Sequence, residues 1–498
     1  MMQGQATAKA KTTEKPTEPA EPIEAAVARL GGEFWFTSVS FEPKTRHDPW
    51  EDRRAAGKER RSQVPLKAHG QWEPASDRPD PVETILATNE GRQKDLIPVR
   101  MARMTASAFT FFRGAADIMA WDLSRTPITG FPVVIGGDAH LNNFGLYATP
   151  QKDVIFDMND FDEVVIGPWE WDLKRLATSV NIAARDNGFN KRERRKVVTM
   201  CIRGYSVNAA RLQGLGVVET WSKHTYPERI FDTELRNKQW NVSPKARAKT
   251  IEVWTKAIAK AKRNTNEALL SKVAREDENG QWGFAFEPPV LTKVSKAEAK
   301  KVIDSLAEYS ETLTRERHLM FKRYHVVDVA HRVVGVGSVG VRSYLVMLFG
   351  NGPSDPLFLQ VKEATKPAHA RFLPALLKEK HEGWRVVTGQ RVIQASFDFM
   401  LGWTTIDDKP FYVRQMRNMK GSIPVELLSG MSLGVYALAC GGILARGHAR
   451  TGDIAKIAGY IGSSTRFENA IADFAEAYAD QNEKDHAALA AAVASERI

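Results

Sequence analysis

Three glycines, and the residues on either side of them, constrain the fold of this chain more than any other feature. Gly335, Gly337 and Gly340 stand in GxGxxG spacing within VVGVGSVGVRSYLVMLFG, residues 333 to 350. A dinucleotide-binding fold needs a strand before such glycines and a helix after them. Here VRSYLVMLFG follows, rich in β-branched and aromatic side chains, then the turn NGPSDP, then the apolar run LFLQVK. That order reads strand, glycine loop, strand, turn, strand. An antiparallel lobe is therefore expected, and a parallel Rossmann sheet is the poorer reading.

A glycine loop between antiparallel strands, with Ser338 inside it and Lys362 at the end of the next strand, is the layout of a phosphate lid and its lysine in kinase-type enzymes. The chemistry such a lid serves is foreshadowed far upstream. GGDAHLNNFG, residues 136 to 145, places Asp138 five residues before Asn143, and IFDMNDFDEVVIGPWEWDL, residues 155 to 173, adds a second acidic cluster. In phosphoryl transfer one Asp takes the proton of the attacking hydroxyl, while an Asn and a further Asp hold Mg²⁺. Asp138, Asn143 and Asp160 can fill those roles. NFGLYAT reads as a strand, PQKD as a turn and VIFDMND as the returning strand, a hairpin that brings Asp160 back beside Asn143. Oxygen ligands of this kind suit Mg²⁺, which keeps waters and needs only one or two carboxylates beside substrate phosphates.

The order of the parts is inverted relative to an ordinary kinase, because the catalytic loop precedes the glycine loop. Circular permutation accounts for this, being tolerated where termini are close and the cut lies in exposed chain. The helix that should precede the catalytic loop is then found late, in MSLGVYALACGGILARGHAR, residues 431 to 450. Leu433, Tyr436, Ala437, Cys440, Ile443 and Leu444 recur there at helical spacing, which predicts a helix packed beneath the catalytic loop.

With LIPVRMARMTASAFTFFRG, GGDAHLNNFG, NDFDE, GPWEWDLKRLATS, VGVGSVG, LQVKEA, GQRVIQ, FYVRQMRNMKGS and YADQNEKDH, the chain resembles the bacterial domain-of-unknown-function family 2252. Members of that family look like remote relatives of protein kinases and aminoglycoside phosphotransferases. The resemblance runs from about residue 80 to the end. It implies an α+β, two-lobed, protein-kinase-like fold, circularly permuted, using ATP and Mg²⁺. The phosphotransferase pattern, HGD with an Asn five after the Asp, then an acidic DF and a later DL, is matched by Asp138, Asn143, Asp160 and Asp172. Gly136 departs from it, standing where such enzymes carry the His that anchors the loop. Asp157 and Asp162 compete with Asp160 for the metal; strand alternation turns Asp157 to the face opposite Asp160 or Asp162, and the pattern favours Asp160. Asp172 is expected to hold the loop in shape. Arg113 and His140 are candidate phosphate contacts, each with a structural salt bridge or loop hydrogen bond as its plainer role. The acidic partner of Lys362 stays open between Glu382 and an atypical Gln390.

The expected organisation is a disordered tail at 1–30, an N-terminal extension at 31–105, and a helical catalytic lobe at 106–325 carrying the catalytic loop and metal hairpin. A nucleotide lobe follows at 326–425, with FYVRQMRNM as the strand between lobes, and C-terminal helices at 426–498 complete the catalytic lobe. The extension contains strand-like EFWFTSVSFEP and a helical run around ILATNEGRQKDLIPVR. At 498 residues and 43% hydrophobic content the chain can bury a sizeable core. Cys201 and Cys440 are too few for a disulfide framework, so a reducing cytoplasm is expected. No run is long enough to span a bilayer.

Of the net charge of +10, Lys245 to Lys272 supplies eight basic and two acidic residues, or +6. This segment reads as one helix with a solvated basic face, and nucleic acid is not an expected partner because no zinc-finger, RNP or helix-turn-helix pattern accompanies it. The function expected is ATP- and Mg²⁺-dependent transfer to a small-molecule hydroxyl, with aminoglycoside and choline kinases as the analogy for the unidentified acceptor. The alternatives are AMP transfer, an inactive nucleotide-binding regulator, and a metal-dependent phosphoesterase using Asp138 and His140.

Overall fold

A computed structural model describes residues 49–233, 243–333, 335–373, 381–428 and 430–495; the expected N-terminal tail and EFWFTSVSFEP lie outside them. The chain is mixed α+β, with helices predominating and every paired strand antiparallel. Twelve strands are described. They are β1 (Pro132–Ile135), β2 (Phe144–Ala148), β3 (Val154–Met158), β4 (Val165–Pro168), β5 (Ala274–Glu276), β6 (Trp282–Phe284), β7 (Leu291–Lys293), β8 (His325–Arg332), β9 (Ser343–Phe349), β10 (Pro356–Glu363), β11 (Gly402–Ile406) and β12 (Lys409–Gln415).

The large sheet has the order β11-β12-β10-β9-β8-β7. Its central strands are buried on both faces, so they read as unbroken apolar runs rather than alternating ones. In β9, Tyr344, Val346 and Leu348 pack towards the Lys296–Glu311 helix, while Leu345, Met347 and Phe349 join Leu269, Leu270 and Phe284 on the other side. The period-2 rule carries over to β10: Leu357, Leu359 and Val361 share the first face, which leaves Phe358, Gln360 and Lys362 on the second. The glycines join β8 to β9, with strand on both sides and no helix following, as expected of an antiparallel lobe.

The helical part is built around the Met431–Thr451 and Lys191–Leu212 helices, which cross closely because Gly204 and Gly441 lack side chains. A Cβ at either would collide with the opposite backbone, at Leu438 and Cys201 respectively. Leu433, Tyr436, Ala437, Cys440, Ile443 and Leu444 are all buried in this core. Cys201 and Cys440 are free buried thiols whose pKa burial pushes up. Two small hairpin-like pairings, β1 with β4 and β2 with β3, sit on this core and carry the upstream motifs. After β12 the chain passes between the two parts and pairs with β2, Leu146 and Gly421 exchanging backbone hydrogen bonds of 2.7 and 2.9 Å.

Two helical expectations are broken by local chemistry. ILATNEGRQKDLIPVR is not continuous: Pro81–Ala87 ends before Gly91, whose φ of 77° is left-handed, and Pro98 opens a new helix, Ile97–Thr105. The basic run splits at Thr265, which caps the second helix, giving Pro244–Lys262 and Asn266–Val273. In the first of these Trp254, Ala257, Ile258 and Ala261 face the core and the lysines lie in solvent, the solvated basic face. Among the described residues no helix is long and apolar enough to cross a membrane.

Candidate functional site

Asp138 is delivered by β1 and two glycines. The turn is fixed by Asp172, at the start of the Trp169–Asp186 helix, whose carboxylate accepts the N–H groups of Gly136 (2.7 Å) and Gly137 (2.9 Å). The His448 imidazole lies 3.3 Å from the same carboxylate. Gly136 thus has its anchor from two other elements. It must also stay small, because a Cβ there would meet Met158 Cε. Asp172, expected to hold the loop in shape, makes both of these bonds. From beneath, the Tyr436 hydroxyl donates to the carbonyls of Leu141 (2.8 Å) and Phe144 (3.1 Å), which seats the 136–144 loop on the Met431–Thr451 helix.

One turn along from Asp172, Arg175 reaches the Asp138 carboxylate, with Nε donating to Oδ1 at 2.6 Å. Its Nη2 donates to the Phe112 carbonyl at 3.1 Å, and the guanidinium stacks over the Phe112 ring at 4.4 Å. Burial pushes the Asp138 carboxyl up to about 6, against the pull of Arg175. A carboxylate in this range can accept a proton at neutral pH. Asn143 donates its amide N–H to the Asp138 carbonyl at 2.7 Å, which leaves its side-chain oxygen available to a cation. The β2–β3 hairpin returns the chain so that Asn159 N–H donates to the Asn143 carbonyl at 2.9 Å, and Asp160 follows it into the same cavity. His140 lies 3.5 Å from Asp138 and its Nδ1 has no partner; burial holds its pKa well below the usual imidazole value.

Asp157 is separated from this group, as strand alternation requires. It is fully buried, ion-paired with Arg446, and accepts the Ala395 N–H at 3.1 Å. Asp162, by contrast, is the partner of Lys362. The two form a close ion pair although 200 residues apart in sequence. Lys362 is raised by Asp162 against the effect of burial, and Asp162 is correspondingly lowered. Neither Glu382 nor Gln390 takes that place. Glu382 binds Arg385 instead, and Arg385 donates to the carbonyls of Asp162 (2.9 Å) and Thr365 (2.8 Å), so the Glu382–Ile393 helix holds the pair from behind. Gln390 donates to Gln394.

The glycine loop closes the cavity. Gly335 and Gly340 have φ of 73° and 86°, left-handed values that favour glycine, and a Cβ at Gly337 would lie 3.2 Å from the Arg113 carbonyl. The N-terminal helices hold the loop from outside. Arg103 donates to the Gly335 carbonyl at 2.5 Å, Arg92 to Val339 at 2.7 Å, and Gln93 N–H to Gly340 at 2.8 Å. Val336 packs among Val82, Ile85, Met101 and Met104. One cavity of about 110 Å³ is therefore lined by Asp138, Asn143, Asp160, Asp162, Lys362 and the residues Gly335–Ser338. Gly340 lies beside it, bonded to the extension.

Sequence reasoning missed Arg175, although its place three residues after Asp172 on a helix puts both on one face. It also missed Arg92 and Arg100, which join Arg113 on the cavity wall. Nothing in the local pattern of the extension marks them. Among the described residues no group of three or more His, Cys, Asp or Glu side chains forms a metal cluster. One carboxylate and one amide oxygen remain compatible with Mg²⁺, which draws further ligands from water and phosphate.

Residues 92–492 match the family described as an uncharacterized protein conserved in bacteria, DUF2252, and the chain belongs to that family. Neither the curated proteins nor the solved structures return a match.

Proposed function

We propose that this member of the family is an ATP- and Mg²⁺-dependent phosphotransferase built on a circularly permuted kinase-like fold. The observation that carries the reading is the convergence on one cavity of Asp138, Asn143 and Asp160 with a glycine loop and Lys362 that lie about 200 residues away in sequence. Counted from β8, the glycine loop follows the first strand and the lysine is on the third, the arrangement of a kinase nucleotide lobe. The permutation rests on the Met431–Thr451 helix, which supports the catalytic loop from the far end of the chain.

In this reading Asp138 accepts the proton of the attacking hydroxyl, and Arg175 fixes the orientation of its carboxylate. Lys362 and the loop backbone cradle phosphate oxygens, and Asp162 keeps the lysine charged and aimed. Asn143 Oδ1 and Asp160 would hold Mg²⁺, which supplies neutralisation of phosphate charge. Met416–Gly421, the segment between the two parts, would border the base. The test is calorimetric titration of ATP with and without Mg²⁺, comparing wild type with Asp160→Ala. Mg²⁺-dependent binding that the substitution weakens at least tenfold is the expected result; no ATP binding by wild type would reject the reading.

A nucleotide-binding regulator is the second reading, favoured by the buried Arg175 pair that occupies Asp138. Asp138→Asn separates the two. An enzyme keeps nucleotide and loses turnover, whereas a regulator keeps its biological effect.

A further inference from the structure

Three arginines, Arg92 and Arg100 from the extension and Arg113 from the Ala108–Gly114 helix that follows it, line the cavity that holds Asp138. None forms a salt bridge among the described residues. Arg92 and Arg100 donate only to neutral oxygens, those of Thr88, Val339 and Asn89 among them. Arg113 donates no hydrogen bond at all among the described residues, and the buried Nε atoms of both Arg100 and Arg113 are unpartnered. Burial lowers the pKa of all three, Arg100 to about 9, so the fold carries a real cost for keeping them there.

Most acids nearby are already committed. Asp138 pairs with Arg175, Asp162 with Lys362, and Glu363 with Arg342 and Lys409. Glu163 accepts the Ala368 N–H at 2.6 Å, and its carboxyl is pushed up to about 8 by burial and by Asp117. Among the described residues Asp117 is the unpaired acid that acts on Arg92 and Arg100, while Arg113 faces Asp138, already paired, and Asp160. Guanidinium forks match the oxygens of phosphate and carboxylate groups. An amine-rich acceptor of the aminoglycoside or choline kind would meet like charge on this wall.

Resting on the phosphotransferase reading, we propose that the acceptor is an anionic small molecule whose phosphate or carboxylate is held by Arg92, Arg100 and Arg113 while its hydroxyl faces Asp138. The acceptor O–H gives its proton to Asp138, and its oxygen forms a bond to the γ-phosphorus of ATP. The bond from that phosphorus to the β–γ bridging oxygen breaks, and ADP leaves with the electron pair. Arg113 is a binding residue here, since its guanidinium touches the acceptor.

The test uses inorganic phosphate as probe, titrated into the full chain with Mg²⁺ and the β,γ-imido analogue of ATP at saturation, so that the γ-phosphate position is filled. Arg113→Gln is compared with wild type and with Arg113→Lys. Because Arg113 makes no hydrogen bond among the described residues and its charge is disfavoured by burial, Arg113→Gln should melt at or above the wild-type temperature and Arg113→Lys close to it. Loss of a charge-assisted contact predicts phosphate binding weakened about 10- to 100-fold in Arg113→Gln, with partial retention in Arg113→Lys and nucleotide affinity unchanged. Two results would overturn the proposal: no phosphate binding by wild type, or phosphate displaced by the analogue with Arg113→Gln weakening the analogue itself, which assigns the arginines to the nucleotide. Phosphate binding that depends on Arg113 in a protein that takes no nucleotide would support the oxyanion site and remove the phosphotransferase reading alone.

Discussion

Asp138→Asn should make the protein more stable at neutral and alkaline pH. The ionised carboxylate is largely but not fully withdrawn from solvent, and Arg175 does not fully offset the lost solvation, so its pKa rises from 3.8 to about 6. At about 1.4 kcal/mol per pH unit, that gap makes ionisation cost about 3 kcal/mol of folding free energy. The sign follows from the direction. With the folded pKa raised, the stability lent by protonation is complete below 3.8 and gone once pH has risen through about 6. Asn is neutral throughout and keeps an oxygen for Arg175. The variant and wild type should therefore match below about pH 3, differ by about half the full amount at pH 5, and differ by about 3 kcal/mol in favour of the variant at pH 8. With about 2.1 cal/mol/K of unfolding entropy per residue, this is a rise of about 3 °C in melting temperature. Urea unfolding followed by tryptophan fluorescence across that pH range is the assay. A wild type as stable as the variant at pH 8 would refute the reasoning, because the Arg175 ion pair would then outweigh desolvation.

Lys362→Met should cost about 1–3 kcal/mol by leaving the half-buried Asp162 without its ion-pair partner and with only the more distant charge of Arg414, while the double variant with Asp162→Asn should recover most of the loss. Urea midpoints for the four proteins of the cycle give the coupling, and additive losses would show that the pair is not a unit. Asp172→Asn replaces the acceptor of two loop N–H groups by an amide that can satisfy at most one of them well; a loss of about 1–3 kcal/mol is expected, together with faster amide exchange at Gly136 and Gly137, and unchanged exchange there would sink the assignment of Asp172 as the loop's anchor.

The parts of the site that depend on short-range pattern were legible in the sequence. The β2–β3 hairpin followed from β-branched runs around a turn, and alternation along it turned Asp157 inward and away from Asp160. The glycine loop declared its antiparallel setting through the residues after Gly340. The Met431–Thr451 helix was readable because its apolar positions repeat at helical spacing. What escaped notice depends on pairing between distant segments. Lys362 finds Asp162 rather than an acid on the next helix, because Glu382 is taken by Arg385. Arg92 and Arg100 gain meaning only when the extension folds over the glycine loop, and no local periodicity announces that contact. The broken helices at Gly91 and Thr265 had local signals, a left-handed glycine and an N-cap, that a longer apolar pattern concealed.

The seating of the 136–144 loop on the Met431–Thr451 helix bears on how the protein is made. Leu141 and its partner Tyr436 are separated by 295 residues, and a ribosome adding 5–20 residues per second needs roughly 15 to 60 s to cover that distance. During this time the loop has no floor, and the buried carboxylates Asp157 and Asp172 lack Arg446 and His448. Nascent chains would present an open apolar trough and uncompensated charge, a target for chaperones, and a polypeptide cut short before residue 431 could not assemble the site however intact its upstream motifs.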